Sequence, residues 1–369
     1  MDPEVRVTRI PVVITTAPKL WIPKRVLITP AAAEYPHGRQ VIERCEGLGV
    51  EIEPLRSNRL SGVRGKDERE TYRLAKGTLA VVVSPPSERK LQPIPPSADW
   101  QFHLARGCPA HCQYCYLAGS LPGPPVTRAY ANLDEILGGL DVFVGRGSVS
   151  SRQAERAGEG TTFEASCYTD PLGIEHLTGS LSRAIEYFGR RSDDASLRFT
   201  TKFDGVDQLL GLEHRGRTRA RFSVNAARVS GFEGGTAPIS ARIEALARMA
   251  AAGYPVGLTI APIMPVDHWR EQYGALLSEI AEALEPVQGN VDITVELITH
   301  RFSETSKEVL SGWYPASRLE MDEEVRALKR GKFGARKYVY PRPVMAELKA
   351  FFEDEIAARL PAARILYWT

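Results

Sequence analysis

The chain has no run of about 18 apolar residues, the length a helix needs to cross a bilayer, so no membrane span is read. Its first residues, MDPEVRVTRIPVVITT, carry acids and prolines and lack the apolar stretch of a signal peptide. Charge of one sign is also missing. The balance is +2 over 369 residues, which on its own implies no polyanionic partner, so any basic surface has to be local. Cysteine is scarce, with five residues in all. An odd set with three members close together argues against a disulfide framework and for a reducing compartment, the cytoplasm by default. What is present is ordinary for a globular chain: 43% hydrophobic and 25% charged residues, enough for a sizeable core.

Strand and helix patterns alternate along most of the chain. Residues 1–23 read as an N-terminal extension. KRVLITP, VEIEPL and TLAVVVS read as strands, and HGRQVIERCEGLG as a helix ended by Gly49. They form a small α/β region over 24–98 that closes with a proline-rich linker. From WQFHLA onward, strand candidates (TTFEASC, SLRFTTKF, RARFSVNA, PVGLTIAPI, VDITVELI) alternate with helical stretches up to about residue 300. About six parallel strands suit a partial (β/α) barrel or a doubly wound sheet, and both place active sites at the C-terminal strand ends. GRGSVSSRQAERAGEG, at 145–160, reads as a flexible insertion. Residues 301–369 are less regular. RALKRGKFGARKYVYP holds six basic residues between Arg326 and Lys337 and reads as a glycine-containing hairpin.

Three of the five cysteines, Cys108, Cys112 and Cys115, fall in RGCPAHCQYCYLAG, directly after the strand WQFHLA. Soft thiolates at this spacing suit zinc, copper(I) or an iron–sulfur cluster. A structural zinc site wants four ligands, and neither His111 nor His103 has a usual zinc spacing. A [4Fe–4S] cluster takes four thiolates, and with three one iron stays open for an exogenous ligand. The open cluster is the preferred reading.

C-x3-C-x2-C after a first barrel strand, with an aromatic before the last cysteine, resembles the radical S-adenosylmethionine (SAM) superfamily. Further stretches narrow the likeness: EYPHG (34–38), CQYCYL (112–117), FEASCYTD (163–170), GIEHLTGSLSRAIEYFG (173–189), LRFTTKF (197–203), RFSVNA (221–226), AGYPVGLTIAPI (252–263) and ELITHRF (296–302). Together they resemble the spore photoproduct lyase family over nearly the whole chain. The resemblance implies a partial (β/α)6 barrel of the radical SAM type, with the N-terminal α/β region and a C-terminal hairpin-containing segment. It implies a lyase that returns the lesion 5-thyminyl-5,6-dihydrothymine to two thymines through a 5′-deoxyadenosyl radical. Cys108, Cys112 and Cys115 match the cluster ligands, and Cys167 matches the hydrogen-atom donor. Tyr114 and Tyr116 match the tyrosine pair that works with that donor. Tyr114, Thr169, Asp170, Lys202, Ser223 and Ala261 fall where the family lines its SAM pocket. Lys332, Phe333 and Lys337 fall in the hairpin that engages DNA. The implied partners are UV-damaged DNA and an electron donor such as a flavodoxin or ferredoxin.

Some of this has independent support from chemistry. A thymine radical left by fragmentation needs a hydrogen atom, and a thiol at a C-terminal strand end can supply it. Lys202 on an otherwise apolar strand is costly to bury unpaired, so either the SAM carboxylate or an internal acid is its expected partner. HRGRTRARF (214–222) is a second basic segment, which suits either a DNA-tracking groove or a solvated face. Departures from the family pattern leave room for a second reading. Tyr168 stands where a small hydroxyl residue is usual, and Lys332–Phe333 replaces an arginine–tyrosine pair. These support a paralogue with another substrate; a further alternative, a nucleic-acid-binding protein whose cluster is only structural, is opposed by the Cys167 and Lys202 stretches.

Overall fold

The computed structural model describes residues 18, 20–121, 123–149, 154–287, 289, 291–330 and 336–369. Two sheets organise it. The smaller holds the strands Arg25–Ile28, Ile52–Pro54, Thr78–Val82 and Thr127–Tyr130 in parallel, with the short Ala105–Arg106 antiparallel at one edge. The larger runs Gln92–Ile94, Ala98–Phe102, Thr161–Ala165, Ala195–Thr201, Thr218–Val224, Val256–Ile263, Ile293–Thr299, Ala363–Trp368. All but the first are parallel, and the sheet curls into an open half-barrel. The six expected barrel strands are present. A seventh, Ala363–Trp368, comes from the C-terminal segment and pairs with Ile293–Thr299. Thr127–Tyr130 and Ala105–Arg106, which flank the cysteine loop, join the small sheet instead and so tie that loop to both halves of the molecule.

Each barrel strand alternates, and both of its faces are covered. Outward, Phe163, Leu197, Phe199, Ala220, Phe222, Val256, Leu258, Val295 and Leu297 join one apolar core with the surrounding helices. Inward, the lumen is polar. Buried Glu164, Arg198, Arg221 and Glu296 meet there as an ionic floor. Arg221 donates to both Glu296 oxygens at 2.7 and 2.6 Å and pairs with Glu164, while Arg198 donates to Glu296 at 2.6 Å. Ser97 accepts from Arg221 at 2.9 Å, and Thr259 donates to Glu296 at 3.3 Å. Burial would raise the Glu296 carboxyl, but the two guanidiniums outweigh it and hold the group at about 2. Pairing of this kind makes buried charge tolerable.

Two expectations change here. The basic segment 214–222 is no DNA groove over its last part: Arg221 belongs to the lumen floor, and buried Arg219 pairs with Asp292 at the sheet's N-terminal end. Over its described part, the 145–160 segment is docked rather than loose. Arg156 is buried, donates to the Pro96 and Ser97 carbonyls at 2.8 Å each and pairs with Glu159, and the Val149 amide donates to Asp99. No helix among the described residues is long and apolar enough to cross a membrane.

Glu296→Gln leaves two buried guanidiniums with one carboxylate fewer. It should cost about 3–5 kcal/mol in guanidinium unfolding; a loss under about 1 kcal/mol would mean that the floor is not held by charge pairing. Stability should also fall in acid. Burial lowers His37 and His103 to about 4 and His300 to about 3. The unfolded chain binds these protons near 6.5, so their contribution is complete above about pH 6.5 and is lost as pH falls toward 4. Thermal unfolding midpoints that stay level across that window would contradict this.

Candidate active site at the barrel mouth

Two residues along each strand lie roughly 7 Å nearer its C-terminal end. That step leads from the ionic floor to a second lumen layer, from Glu164 to Ser166, Arg221 to Ser223 and Thr259 to Ala261, with Lys202 just beyond Thr200. The cysteine loop lies over this layer. Its first turn depends on Gly107, whose φ is +79° and where a Cβ would sit 2.2 Å from the Val126 carbonyl oxygen. Lys76, at the end of helix Glu68–Lys76, straps the loop by donating to the Cys108 carbonyl at 2.6 Å and to the Ala110 carbonyl. His111–Cys112 pairs antiparallel with Glu233–Gly234, and the Gln113 amide donates to the Phe232 carbonyl at 2.9 Å.

All five cysteines are free thiols. Burial pushes Cys108 up to about 12 and Cys112 higher still, and in both cases neighbouring thiols of the set add to the rise. Such a trio resists ionising alone but suits a cationic centre, which deprotonates the thiols that coordinate it. Among the described residues no three His, Cys, Asp or Glu side chains gather closely enough to hold a single metal ion. By its chemistry, a set of three thiolates without a histidine at a usual zinc spacing suits an iron–sulfur cluster with one open iron.

The loop's tyrosines face the lumen. Tyr114 donates to Glu233 and accepts from Lys202 at 3.0 Å. Lys202 also donates to Glu233 at 2.7 Å and to the Ala261 carbonyl at 3.4 Å, while Arg242 pairs with the second Glu233 oxygen at 2.6 Å. Burial pushes Glu233 up, but Lys202 and Arg242 outweigh it and keep the carboxyl below its usual range. Lys202 therefore already has an internal acid as partner. Sequence reasoning missed Glu233, which sits in the loop GFEGG with no local pattern to mark it.

Opposite, the strand Thr161–Ala165 ends in a turn where Ser166 takes φ +60°, the left-handed region a residue with Cβ seldom visits. Three bonds hold it there. Its amide donates to the Phe102 carbonyl at 2.7 Å, its Oγ accepts from Leu104 N at 3.0 Å, and its carbonyl accepts from Thr169 N at 3.0 Å. The turn brings Cys167 to the mouth, half-buried. Burial and then Glu164 raise its thiol well above the usual range, with Arg221 opposing. Tyr116 spans the mouth: it is 68% exposed, yet its hydroxyl donates to the Cys167 carbonyl. Asp170 is buried and fully engaged, accepting from Thr201, Lys202 N and Gly173 N. Ser223 donates to the Ala261 carbonyl at 3.4 Å, and the buried Thr169 Oγ1 has no protein partner. That orphan oxygen, next to the buried Asp170, fits a polar cofactor. Tyr168 is pinned, with the Arg106 guanidinium 4.5 Å over its ring and His103 edge-on at 5.0 Å.

The C-terminal hairpin pairs Ala327–Arg330 with Arg336–Val339 and sets Lys329 opposite Lys337 and Arg330 opposite Arg336. Directly opposed like charges are unfavourable unless something neutralises them. Lys332 and Phe333 lie outside the described residues.

A family model described as spore photoproduct lyase matches residues 21–369. The spore photoproduct lyase of Bacillus subtilis (strain 168) is 42% identical over 351 residues, covering 95% of this chain and 99% of its own. That of Geobacillus sp. (strain Y412MC61) is 41% identical over 353 residues, covering 95% of this chain and 100% of its own. A solved spore photoproduct lyase variant with bound AdoMet and dinucleoside spore photoproduct superposes with a TM-score of 0.86 at 38% identity, covering 95% of this chain and 100% of that one.

The Ser166 turn gives an ordering that unfolding in urea can check. Ser166→Ala loses the bond to Leu104 N and keeps the strain, and should cost about 1–3 kcal/mol. Ser166→Gly loses the same bond but relieves about 1 kcal/mol or more of left-handed strain, so it should be the milder change. An alanine variant as stable as the glycine variant would sink the strained-turn account.

Proposed function

The chain belongs to the spore photoproduct lyase family, and from that membership we propose how its barrel mouth carries out the repair. The protein is a radical SAM carbon–carbon lyase of DNA repair, and its reaction reverses 5-thyminyl-5,6-dihydrothymine to two thymines. Cys108, Cys112 and Cys115 would hold a [4Fe–4S] cluster, and Thr169, Asp170, Lys202, Ser223, Ala261 and Tyr114 would line the SAM pocket beside it. When bound, cluster and SAM together supply the 5′-deoxyadenosyl radical that takes a hydrogen from the bridged dihydrothymine.

The rest of the work falls to the protein. The observation that carries the reading is the Cys167 turn, set across the mouth from the cysteine loop and joined to it by the Tyr116 hydroxyl. Cys167 gives its S–H hydrogen to the thymine radical left after the two bases part, and only a protonated thiol can do so. The raised thiol supports that role: burial and Glu164 keep the proton on sulfur at neutral pH. Tyr116 holds the turn through its bond to the Cys167 carbonyl; the thiyl radical left on Cys167 would take a hydrogen atom from Tyr116, which would take one from Tyr114, so hydrogen returns to sulfur as the radical passes toward Tyr114. The second layer orients the cofactor. Thr169 offers a hydroxyl without a protein partner. Lys202 keeps three acceptors around its ammonium, and an incoming carboxylate would share it with Glu233. The ionic floor closes the lumen below and limits water at the radical.

Damaged DNA would meet the hairpin, whose opposed Lys329/Lys337 and Arg330/Arg336 pairs are relieved by phosphate. Lys332, Phe333 and Lys337 are proposed as its lesion-engaging residues. A one-electron donor such as a flavodoxin or ferredoxin would complete the system.

Anaerobically reconstituted protein, reduced and given SAM and a dinucleotide carrying the spore photoproduct, should release thymine. Cys167→Ala should still cleave SAM but fail to return clean thymine pairs, as read by chromatography of thymine and 5′-deoxyadenosine. SAM cleavage without repair in the unaltered protein would discard this substrate, and no cleavage at all would discard the radical reading.

A further inference from the structure

The cysteine loop has two faces. Tyr114 and Tyr116 reach into the lumen, where cofactor and lesion are proposed to sit. His111 turns the other way, toward the helices Glu68–Lys76 and Glu304–Trp313. There Tyr72 is the hub. It is 8% exposed, its hydroxyl meets His111 Nδ1 at 3.3 Å, and it bonds to the Tyr314 hydroxyl. Its ring stacks on Trp313 with centroids 4.8 Å apart and planes 27° apart, with Tyr314 edge-on at 5.5 Å and His111 edge-on at 6.1 Å. Trp313 itself is half-exposed. At the inner end, His111 directly precedes Cys112 in the loop. Contacting aromatic rings thus run from the surface to the residue next to Cys112, on the side of the loop that the lumen does not use.

We propose that Trp313, Tyr72, Tyr314 and His111 form the electron entry of this protein, the surface where a low-potential one-electron carrier protein docks to reduce the cluster held by the three cysteines. The inference rests on the cluster reading above. The step moves one electron and no proton: the carrier is oxidised by one electron, the cluster is reduced by one, and the rings conduct without net change. A carrier approaching from the lumen would compete with SAM and DNA. One approaching over Trp313 would leave both in place. Small contacts of this kind are usual for redox partners, which bind weakly and briefly.

The test compares two reductants on the full-length reconstituted protein in anaerobic stopped flow, following bleaching of the cluster's visible absorption. Reduced flavodoxin is the protein donor and dithionite the small one. In Trp313→Leu the second-order rate with flavodoxin should fall by about tenfold or more, while the dithionite rate stays within about twofold. Trp313→Phe, which keeps a ring in the stack, should restore most of the flavodoxin rate, and Tyr72→Phe, which cuts the bonds to His111 and Tyr314, should slow it. Equal flavodoxin rates in Trp313→Leu and the unaltered protein would overturn the proposal. So would parallel slowing with both reductants, which would make the stack a packing clamp, and so would a wild-type cluster that dithionite reduces but flavodoxin does not. A wild-type protein that assembles no cluster would instead bring down the reading beneath it.

Discussion

An ionised carboxylate taken wholly out of water must be paired, and Glu233 is paired by two cations and a phenol. Lys202, Arg242 and Tyr114 converge on its two oxygens, and its backbone pairs with Cys112. Each partner comes from a different part of the chain: the cysteine loop, the end of the strand Ala195–Thr201, and the helix Ile239–Ala251. Satisfying one buried charge therefore sets the height of the cysteine loop over the lumen and the position of Lys202 within it. Loss of Glu233 itself would leave the Lys202 ammonium and the Arg242 guanidinium without their shared carboxylate, so the arrangement tolerates little drift.

Beneath this layer, Arg198, Arg221, Glu164 and Glu296 solve a different problem. An open half-barrel that must admit a nucleotide-sized cofactor cannot fill its lumen with apolar side chains, since the binding layer above has to be polar. Charged residues that neutralise one another close the bottom without apolar bulk. Their pairing also fixes the strands laterally, because Glu296 and Arg221 stand on strands separated by Val256–Ile263. The floor reaches the chemistry as well, since Glu164 and Arg221 act in opposite directions on the Cys167 thiol.

The cysteine trio and the place of Cys167 were legible because both are local: a spacing within eight residues, and a thiol at the end of a strand pattern. The six central strands were legible for the same reason. Glu233 was not, because nothing near it in sequence announces that Lys202 and Arg242 will fold onto it. The arginines of RARFSVNA misled in a specific way. Alternation of apolar and polar residues normally means core on one side and water on the other. Here helices cover the apolar face and the polar face lines the lumen, so the pattern was correct and the assignment to solvent was not. The strand Ala363–Trp368, which follows the helix Arg342–Arg359, was hidden at the end of a segment read as irregular, where only pairing with Ile293–Thr299 reveals it. The 145–160 segment looked loose by composition, and Arg156 shows how one buried guanidinium can dock such a stretch.

The sidedness of the cysteine loop follows from these constraints. Lys76 and Tyr72 grip it from the helix Glu68–Lys76, and Glu233 and the Cys167 carbonyl engage its tyrosines from the barrel. Along this short loop His111 turns to the helix Glu68–Lys76 and both tyrosines turn to the barrel. The proposed electron route would use that separation, because its electron would arrive from the aromatic side while the lumen is filled. A loop held from two sides by groups of different character, aromatic on one and charged on the other, would keep supply and use of that electron apart without any moving part.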